Sequence, residues 1–356
     1  MTQKRQHPIR VLVVDDSAFM RHTLSKHIET DPDITVVGRA HDGLDALTQI
    51  QALNPDVVTL DVEMPHMDGL TALRRIMAEC PTPVVMLSAF TRRGTRATIQ
   101  ALMRGAVDFV PKPTSATNIH DVIQDLIAKI KIAALTPTSP HLPAPTPAHA
   151  PPHTPSHVPT SRPRPFHQGD PLIVIGASTG GPRALQQVLS ALPPDLPAAL
   201  AIVQHMPPSF TNALAQRLNQ SSSLTVKEAT HGDRLARGLA LLAPGGFHLQ
   251  FNSQRKVTLG QGPRRNGVRP ALDTCMESAT SHHGSAVIGA ILTGMGTDGT
   301  AGARQIKAAG GKVIAEHYST TVVYGMPRSV VEAGLADHVV PLPEVAPTLL
   351  NLIADH

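Results

Sequence analysis

Three residues far apart in this chain have the types that hydrolyse esters: Ser178, His205 and Asp298. Ser178 lies in Leu172–Gly181, which reads L-I-V-I-G-A-S-T-G-G. Its opening apolar run, rich in β-branched residues, predicts a buried strand. Gly176 is expected to break that strand, and P-R-A-L-Q-Q-V-L-S-A-L, from Pro182 on, has helical spacing. Gly176, Ser178 and Gly180 spell G-x-S-x-G. In that geometry the hydroxyl stands clear of the sheet, and N–H groups at the helix start can face an anionic oxygen. A serine so placed needs a base, and the base needs an orienting acid. The run A-A-L-A-I-V-Q stops at His205, and S-A-V-I-G-A-I-L-T runs into G-M-G-T-D-G, which holds Asp298. All three would then lie beyond strand carboxyl ends, where open α/β sheets build their sites. The order Ser, His, Asp differs from that of α/β-hydrolases, so a triad here sits on a different fold.

Each piece also has a plainer reading. The glycine turn alone suits a phosphate-binding loop as well as a nucleophile elbow, although no lysine follows its glycines. Ser178 and Asp298 are both good helix caps. A lone histidine at a strand end commonly serves packing.

A second constellation lies nearer the amino terminus. Residues 9–131 alternate short apolar runs with amphipathic segments: Ile9–Val14, Ile34–Gly38, Val57–Leu60, Val84–Leu87 and Val107–Val110, with helical spacing between. Five strand–helix pairs predict a doubly wound parallel sheet. Asp15 and Asp16 follow the first strand, and Asp61 follows the third. Carboxylates at neighbouring strand ends repel unless a cation joins them, and a hard ion such as Mg²⁺ suits oxygen ligands. Ser88 closes the fourth strand, and Lys112 follows the fifth in F-V-P-K-P. Such a group can accept a phosphoryl group on a carboxylate, with metal and lysine offsetting its charge. Asp16 also suits the cap of a helix over residues 17–30.

Between Thr136 and Pro165, eleven of thirty residues are proline, and the rest are mostly Thr, Ser, Ala and His. That composition builds no core and predicts an extended linker. Its histidines (His141, His149, His153, His157) are irregularly spaced and read as solvated. The expected boundaries are 1–131, 132–170 and 171–356. In the last segment, strands and helices alternate as a mainly parallel, doubly wound α/β domain. H-L-Q-F-N-S-Q-R-K-V-T-L reads as an antiparallel hairpin added to it.

The chain has 356 residues, 41% of them apolar, and a net charge of +4 with no dense basic stripe, which argues against nucleic-acid binding. No apolar run approaches the roughly 20 residues of a membrane helix, and Asp15 and Asp16 end the first run too early for a signal peptide. Cys80 and Cys275 fall in separate expected domains, so a reducing cytoplasm fits and a disulfide does not. Aromatic content of 3% leaves the cores aliphatic.

V-V-D-D-S, T-L-D-V-E-M-P-H-M-D-G-L, M-L-S-A and F-V-P-K-P resemble a response-regulator receiver domain over about the first 130 residues. The resemblance implies phosphorylation of Asp61 by a partner histidine kinase. It implies Mg²⁺ held by Asp16, Asp61 and the Glu63 main-chain carbonyl, with Asp15 acting through water. Ser88 would bind a phosphoryl oxygen, Lys112 would pair with its charge, and Phe109 is similar to an aromatic switch position. S-T-G-G, Q-H-M-P-P-S-F-T, A-P-G-G-F-H-L, I-L-T-G-M-G-T-D-G and V-V-Y-G-M-P resemble the chemotaxis protein-glutamate methylesterase/glutaminase family. That resemblance implies hydrolysis of γ-glutamyl methyl esters on chemoreceptors, releasing methanol, and deamidation of receptor glutamines. Ser178 would be the nucleophile, His205 the base and then acid, and Asp298 the orienting group. The Met295 N–H would be an oxyanion donor, with Thr179 beside the serine, and the esterase site would need no cofactor. It further implies that the unphosphorylated receiver docks over the Ser178 cleft. Ala271 stands where a serine is expected, and His317 and Tyr318 stand where acids are common. Two rival classes are a regulator whose output domain binds without turnover and a DNA-binding regulator, for which no basic recognition helix is evident.

Overall fold

The computed structural model describes residues 7–112, 119–136 and 163–355, in two compact units, Met1–His153 and Thr154–His356. The four linker histidines lie outside the described residues.

The first unit runs β1 (Ile9–Val14), α1 (Ala18–Ile28), β2 (Ile34–Ala40), α2 (Gly43–Leu53), β3 (Val57–Asp61), α3 (Gly69–Glu79), β4 (Val84–Ser88), α4 (Arg92–Met103), β5 (Asp108–Pro111) and α5 (Ile119–Ala133). All five strands are parallel, in the order β2-β1-β3-β4-β5. Strands covered by helices on both faces must be apolar throughout, and β3 and β4 are buried at every residue. Side-chain caps start the helices: Asp42 accepts from Leu44 and Asp45, Asp68 from Thr71, and Thr91 from Gly94. The cap of α1 is Ser17, whose hydroxyl accepts the Met20 N–H, so Asp16 does not cap it. Asp16 is left exposed at the rim.

The second unit opens with β6 (Arg164–Pro165) and continues with β7 (Leu172–Ala177), α6 (Gly181–Ser190), β8 (Ala199–Gln204), α7 (Phe210–Ser221), β9 (Thr225–Glu228), β10 (Ala236–Arg237) and β11 (Leu239–Leu242). The antiparallel pair β12 (His248–Phe251) and β13 (Val257–Gly260) follows, then α8 (Leu272–His283), β14 (Val287–Ile291), α9 (Thr300–Ala308), β15 (Lys312–Glu316), α10 (Met326–Glu332), β16 (His338–Val340) and α11 (Leu342–Ala354). Seven strands form one parallel sheet in the order β16-β15-β14-β7-β8-β11-β9. The expected hairpin is present, but as a two-stranded sheet of its own. The chain builds outward from β7 through β8, then returns to β14 on the other side, so the reversal of strand order falls beside β7. Cys80 and Cys275 are both free thiols.

Gly176 does not end its strand: β7 runs through it to Ala177. The glycine is there for packing. A Cβ at this position would lie 2.0 Å from Leu272 Cδ2, at the start of α8. Gly176→Ala is therefore expected to push α8 off the sheet and cost about 1–3 kcal/mol, read as a lowered urea midpoint with an unchanged slope.

Candidate functional site

Ser178 is half-buried where β7 gives way to α6. Its N–H donates to the Thr293 carbonyl at 2.9 Å, and its carbonyl accepts the Gly181 N–H at 2.8 Å and the Gln204 amide at 2.9 Å. The backbone is pinned from two strands while the hydroxyl is left to the site. Gly180 caps α6 at φ 79° with no side-chain bond, so Ser178 is not its cap. Likewise Gly299, not Asp298, occupies the cap position of α9. Thr179 is buried, and its carbonyl accepts the Thr293 hydroxyl at 3.0 Å.

Parallel pairing matches Ala177 with Gln204, so Ser178 and His205 leave adjacent strands side by side. The His205 N–H donates to the Ala177 carbonyl at 3.0 Å. Its ring Nε2 lies 2.8 Å from Asp298 Oδ2. Among the described residues no hydrogen bond joins the Ser178 hydroxyl to the ring, so the three expected residues form a bonded pair with the serine next to it. Such bonds commonly tighten only when substrate is present.

Asp298 is buried, and its carboxylate closes the start of α8. Oδ2 also accepts the Leu272 N–H at 2.6 Å, while Oδ1 accepts the Asp273 N–H at 3.0 Å and the Asn266 amide at 3.3 Å. Ala271, in the cap position of α8, offers no side-chain acceptor, and Asp298 serves in its place. Burial alone would raise the Asp298 carboxyl. The bond to His205, that ring's charge and the two N–H groups outweigh burial and hold it below the ordinary carboxylate range.

Behind Asp298 stands a second carboxylate that sequence reasoning missed. Asp273 Oδ1 accepts the N–H groups of Gly299 at 2.9 Å and Gly302 at 2.8 Å, and Oδ2 takes the Asn266 amide at 3.0 Å. Burial and then the Asp298 charge push its carboxyl up, against its bond to Gly302. Asp273 lies inside the segment V-R-P-A-L-D-T-C and Asn266 just before it, and nothing in their spacing marks the acid. Met295 is 53% exposed, and among the described residues its N–H donates to no protein acceptor. His317 stacks on Tyr318 at 4.2 Å, and Tyr318 meets Tyr324 edge-on at 6.1 Å. His248 is buried and bonded to the Pro263 carbonyl and the Ala271 N–H, which makes it a structural residue.

In the first unit, Asp15, Asp16 and Asp61 bring carboxylate oxygens within 4.8 Å of one another. Three hard oxygen donors at that spacing fit a divalent cation such as Mg²⁺. Lys112 follows β5, where its N–H donates to the Ser88 carbonyl at 2.7 Å. Its ammonium lies 2.7 Å from both Asp15 Oδ2 and Asp61 Oδ2. Burial pushes the Asp61 carboxyl up to about 6, against the lowering pull of Lys112. The Ser88 hydroxyl accepts from Thr98 at 2.7 Å, and Phe109 is buried with the Lys129 ammonium 5.5 Å from its ring centre.

A five-stranded acid-rimmed unit followed by a doubly wound α/β unit defines the class as a response regulator with an α/β output domain. Residues 173–349 match the family model described as CheB methylesterase, and residues 11–124 match the response regulator receiver domain. The chain belongs to the CheB methylesterase family. It is 48% identical over 361 positions to the protein-glutamate methylesterase/protein-glutamine glutaminase of Symbiobacterium thermophilum, covering 100% of each chain. The protein of that name from Thermotoga maritima is 44% identical, covering 97% of this chain and 98% of its own. The crystal structure of the Thermotoga maritima CheB methylesterase catalytic domain is 47% identical, with a TM-score of 0.50, over 51% of this chain and 98% of that one.

Removing the second carboxylate should loosen the loop that carries Asp298. Asp273→Ala is expected to cost roughly 2–3 kcal/mol, from lost charge-assisted bonds to two buried N–H groups, and Asp273→Asn less; urea unfolding measures both.

Proposed function

We propose that this chain is a phosphorylation-activated hydrolase. It removes methyl groups from glutamate γ-methyl esters of chemoreceptors, releasing methanol, and deamidates receptor glutamines in chemotaxis adaptation. The observation that carries the reading is the His205–Asp298 pair at the end of β8, one strand over from Ser178. An imidazole that donates its Nε2–H to Asp298 in a hydrogen bond presents Nδ1 as the bare nitrogen. Nδ1 of His205 takes the Ser178 proton as the serine oxygen attacks the ester carbonyl. Asp298, ionised at the helix start, steadies the imidazolium that results. The Met295 N–H is the donor for the developing oxyanion, and Thr179 shapes the turn beside the nucleophile. The imidazolium then returns its proton to the methoxide as the acyl–oxygen bond breaks. Water, deprotonated by the same nitrogen, attacks the acyl-enzyme; the bond to Ser178 breaks, the imidazolium returns the proton to the serine oxygen, and glutamate is released. With a glutamine substrate the amide nitrogen must take the imidazolium proton before it can leave as ammonia, so the amide reaction is the slower one. These steps use side chains and N–H groups alone and call for no cofactor in the esterase site.

Asp61 accepts the phosphoryl group from a partner histidine kinase. Mg²⁺ held by Asp15, Asp16, Asp61 and the Glu63 main-chain carbonyl would supply countercharge for that group. The Ser88 hydroxyl and the Lys112 ammonium bind phosphoryl oxygens, and the Lys112–Asp61 ion pair gives way to them. The unphosphorylated receiver holds the hydrolase off. Among the described residues no helix is long and apolar enough to cross a membrane, and we place the protein in the cytoplasm, acting on the receptors' cytoplasmic glutamates.

Methanol release from methylated receptor membranes tests the reading. Ser178→Ala should lose about 10³-fold or more of the rate. A phosphodonor with Mg²⁺ should raise the wild-type rate but not that of Asp61→Asn. EDTA should remove that gain and spare the basal rate. Wild-type methanol release from Ser178→Ala would end the nucleophile assignment.

A further inference from the structure

Glu316 ends β15 with 0% exposure, and it takes no part in the steps described above. Its Oε2 accepts the Thr293 N–H at 2.8 Å, and its Oε1 accepts the Thr320 hydroxyl at 3.0 Å. Thr293, just past β14, is where the serine turn is fastened. Its carbonyl accepts the Ser178 N–H at 2.9 Å, and its hydroxyl donates to the Thr179 carbonyl at 3.0 Å and accepts the Val323 N–H at 2.9 Å. Gly294 follows, packed so closely that a Cβ there would lie 2.8 Å from the Ser178 Cβ, and Met295 comes next. The nucleophile's backbone and the proposed oxyanion donor thus hang on one residue, and the buried carboxylate holds that residue's N–H.

We propose that Glu316 is a positioning residue for the Ser178 turn and the Met295 N–H, acting through Thr293. The inference rests on Ser178 being the nucleophile. Burial pushes the Glu316 carboxyl up to about 7, against the lowering pull of its bonds to Thr293 and Thr320. Among the described residues no charged group adds to these effects. β14 presents the Thr293 N–H, and α11 presents the Leu342 N–H to the Thr320 oxygen at 2.9 Å. The neighbouring His317 ring turns to Ser319, and Lys312 and Asp337 sit at the far end of the β15–β16 pair.

With its carboxyl pushed up to about 7, Glu316 changes charge around neutral pH. Oε2 already faces an N–H, so an added proton goes to Oε1. There it must donate to the Thr320 oxygen, which already accepts from Leu342. The neutral acid then holds Thr293 through an uncharged carbonyl, a weaker acceptor than a carboxylate. Glu316→Gln reproduces this neutral state at every pH, with its carbonyl toward Thr293 and its amide toward Thr320. Glu316→Ala leaves the Thr293 N–H buried without an acceptor.

The test uses the full-length chain, with phosphodonor and Mg²⁺ present throughout. Methanol release from methylated receptor membranes is followed from about pH 6 to about pH 9, and Ser178 is labelled in parallel with a fluorophosphonate. Wild type and variant are compared as a ratio of rates at each pH. The wild-type kcat should equal that of Glu316→Gln at the acid end. It should rise to about threefold or more above it on the alkaline side, with KM unchanged. Glu316→Ala should lose about tenfold or more in kcat throughout, again with KM unchanged, and label correspondingly slowly. A wild type that does not label at Ser178 overturns the nucleophile assignment and this inference together. A wild type that labels, but whose kcat ratio to Glu316→Gln is flat with pH, overturns the Glu316 inference alone. So does a Glu316→Ala protein at the wild-type rate.

Discussion

The second unit depends on one carboxylate oxygen serving two masters. Asp298 Oδ2 accepts both the first N–H of α8 and the His205 ring. The helix bond fixes where the oxygen is, and the oxygen fixes where the imidazole is. Helix α8 in turn lies against the sheet through Leu272, over the strand residue Gly176, which has no side chain to keep it away. The distance from serine to imidazole to acid is therefore set by helix-on-sheet packing rather than by loop conformation. A chain of this kind resists small errors, because each joint is either a close-packed surface or a charge-assisted hydrogen bond.

The first unit solves a related problem with the opposite sign of neighbour. Asp61, also buried, faces no helix start but two further acids and one ammonium. An anion held by N–H dipoles is stable where it stands. An anion held by a lysine and crowded by like charge is poised to exchange partners, which suits a group that must take on and lose a phosphoryl group. Both sites lie beyond the carboxyl ends of parallel strands beside the point where strand order reverses, so the same topology yields a fixed site and a switchable one.

Strand ends were legible in the sequence because parallel strands in these units are unbroken apolar runs, and the first polar residue after each run stands at the rim. That is why Ser178, Asp61 and Lys112 stand out in the chain, whereas His205 follows Gln204 and Asp298 lies further on, in the G-M-G-T-D-G turn after β14. Local rules failed where two residues compete for one role. Asp16 and Ser17 are both good caps, and Ser17 has the place. Gly176 reads as a breaker, yet its missing side chain answers to Leu272, 96 positions on. Asp273, Asn266 and Glu316 were invisible for the same reason. Their partners are backbone N–H groups, a hydroxyl or other acids, and those pairings leave no periodicity in the chain.

Burial by itself raises a carboxyl, so the opposite fates of two buried acids in one sheet need a cause. Asp298 gathers two helix N–H groups, an amide and an imidazole, and it is held low. Glu316 gathers one N–H and one hydroxyl, with no cation, and it rises to about 7. The difference lies in how many donors each loop folds around its acid, and that number follows from position. Asp298 meets the open end of a helix, whereas Glu316 meets the side of the next strand's exit, where one N–H is free to donate. One acid is therefore fixed as a permanent anion beside the imidazole. The other, pushed up to about 7, reaches the serine turn only through Thr293.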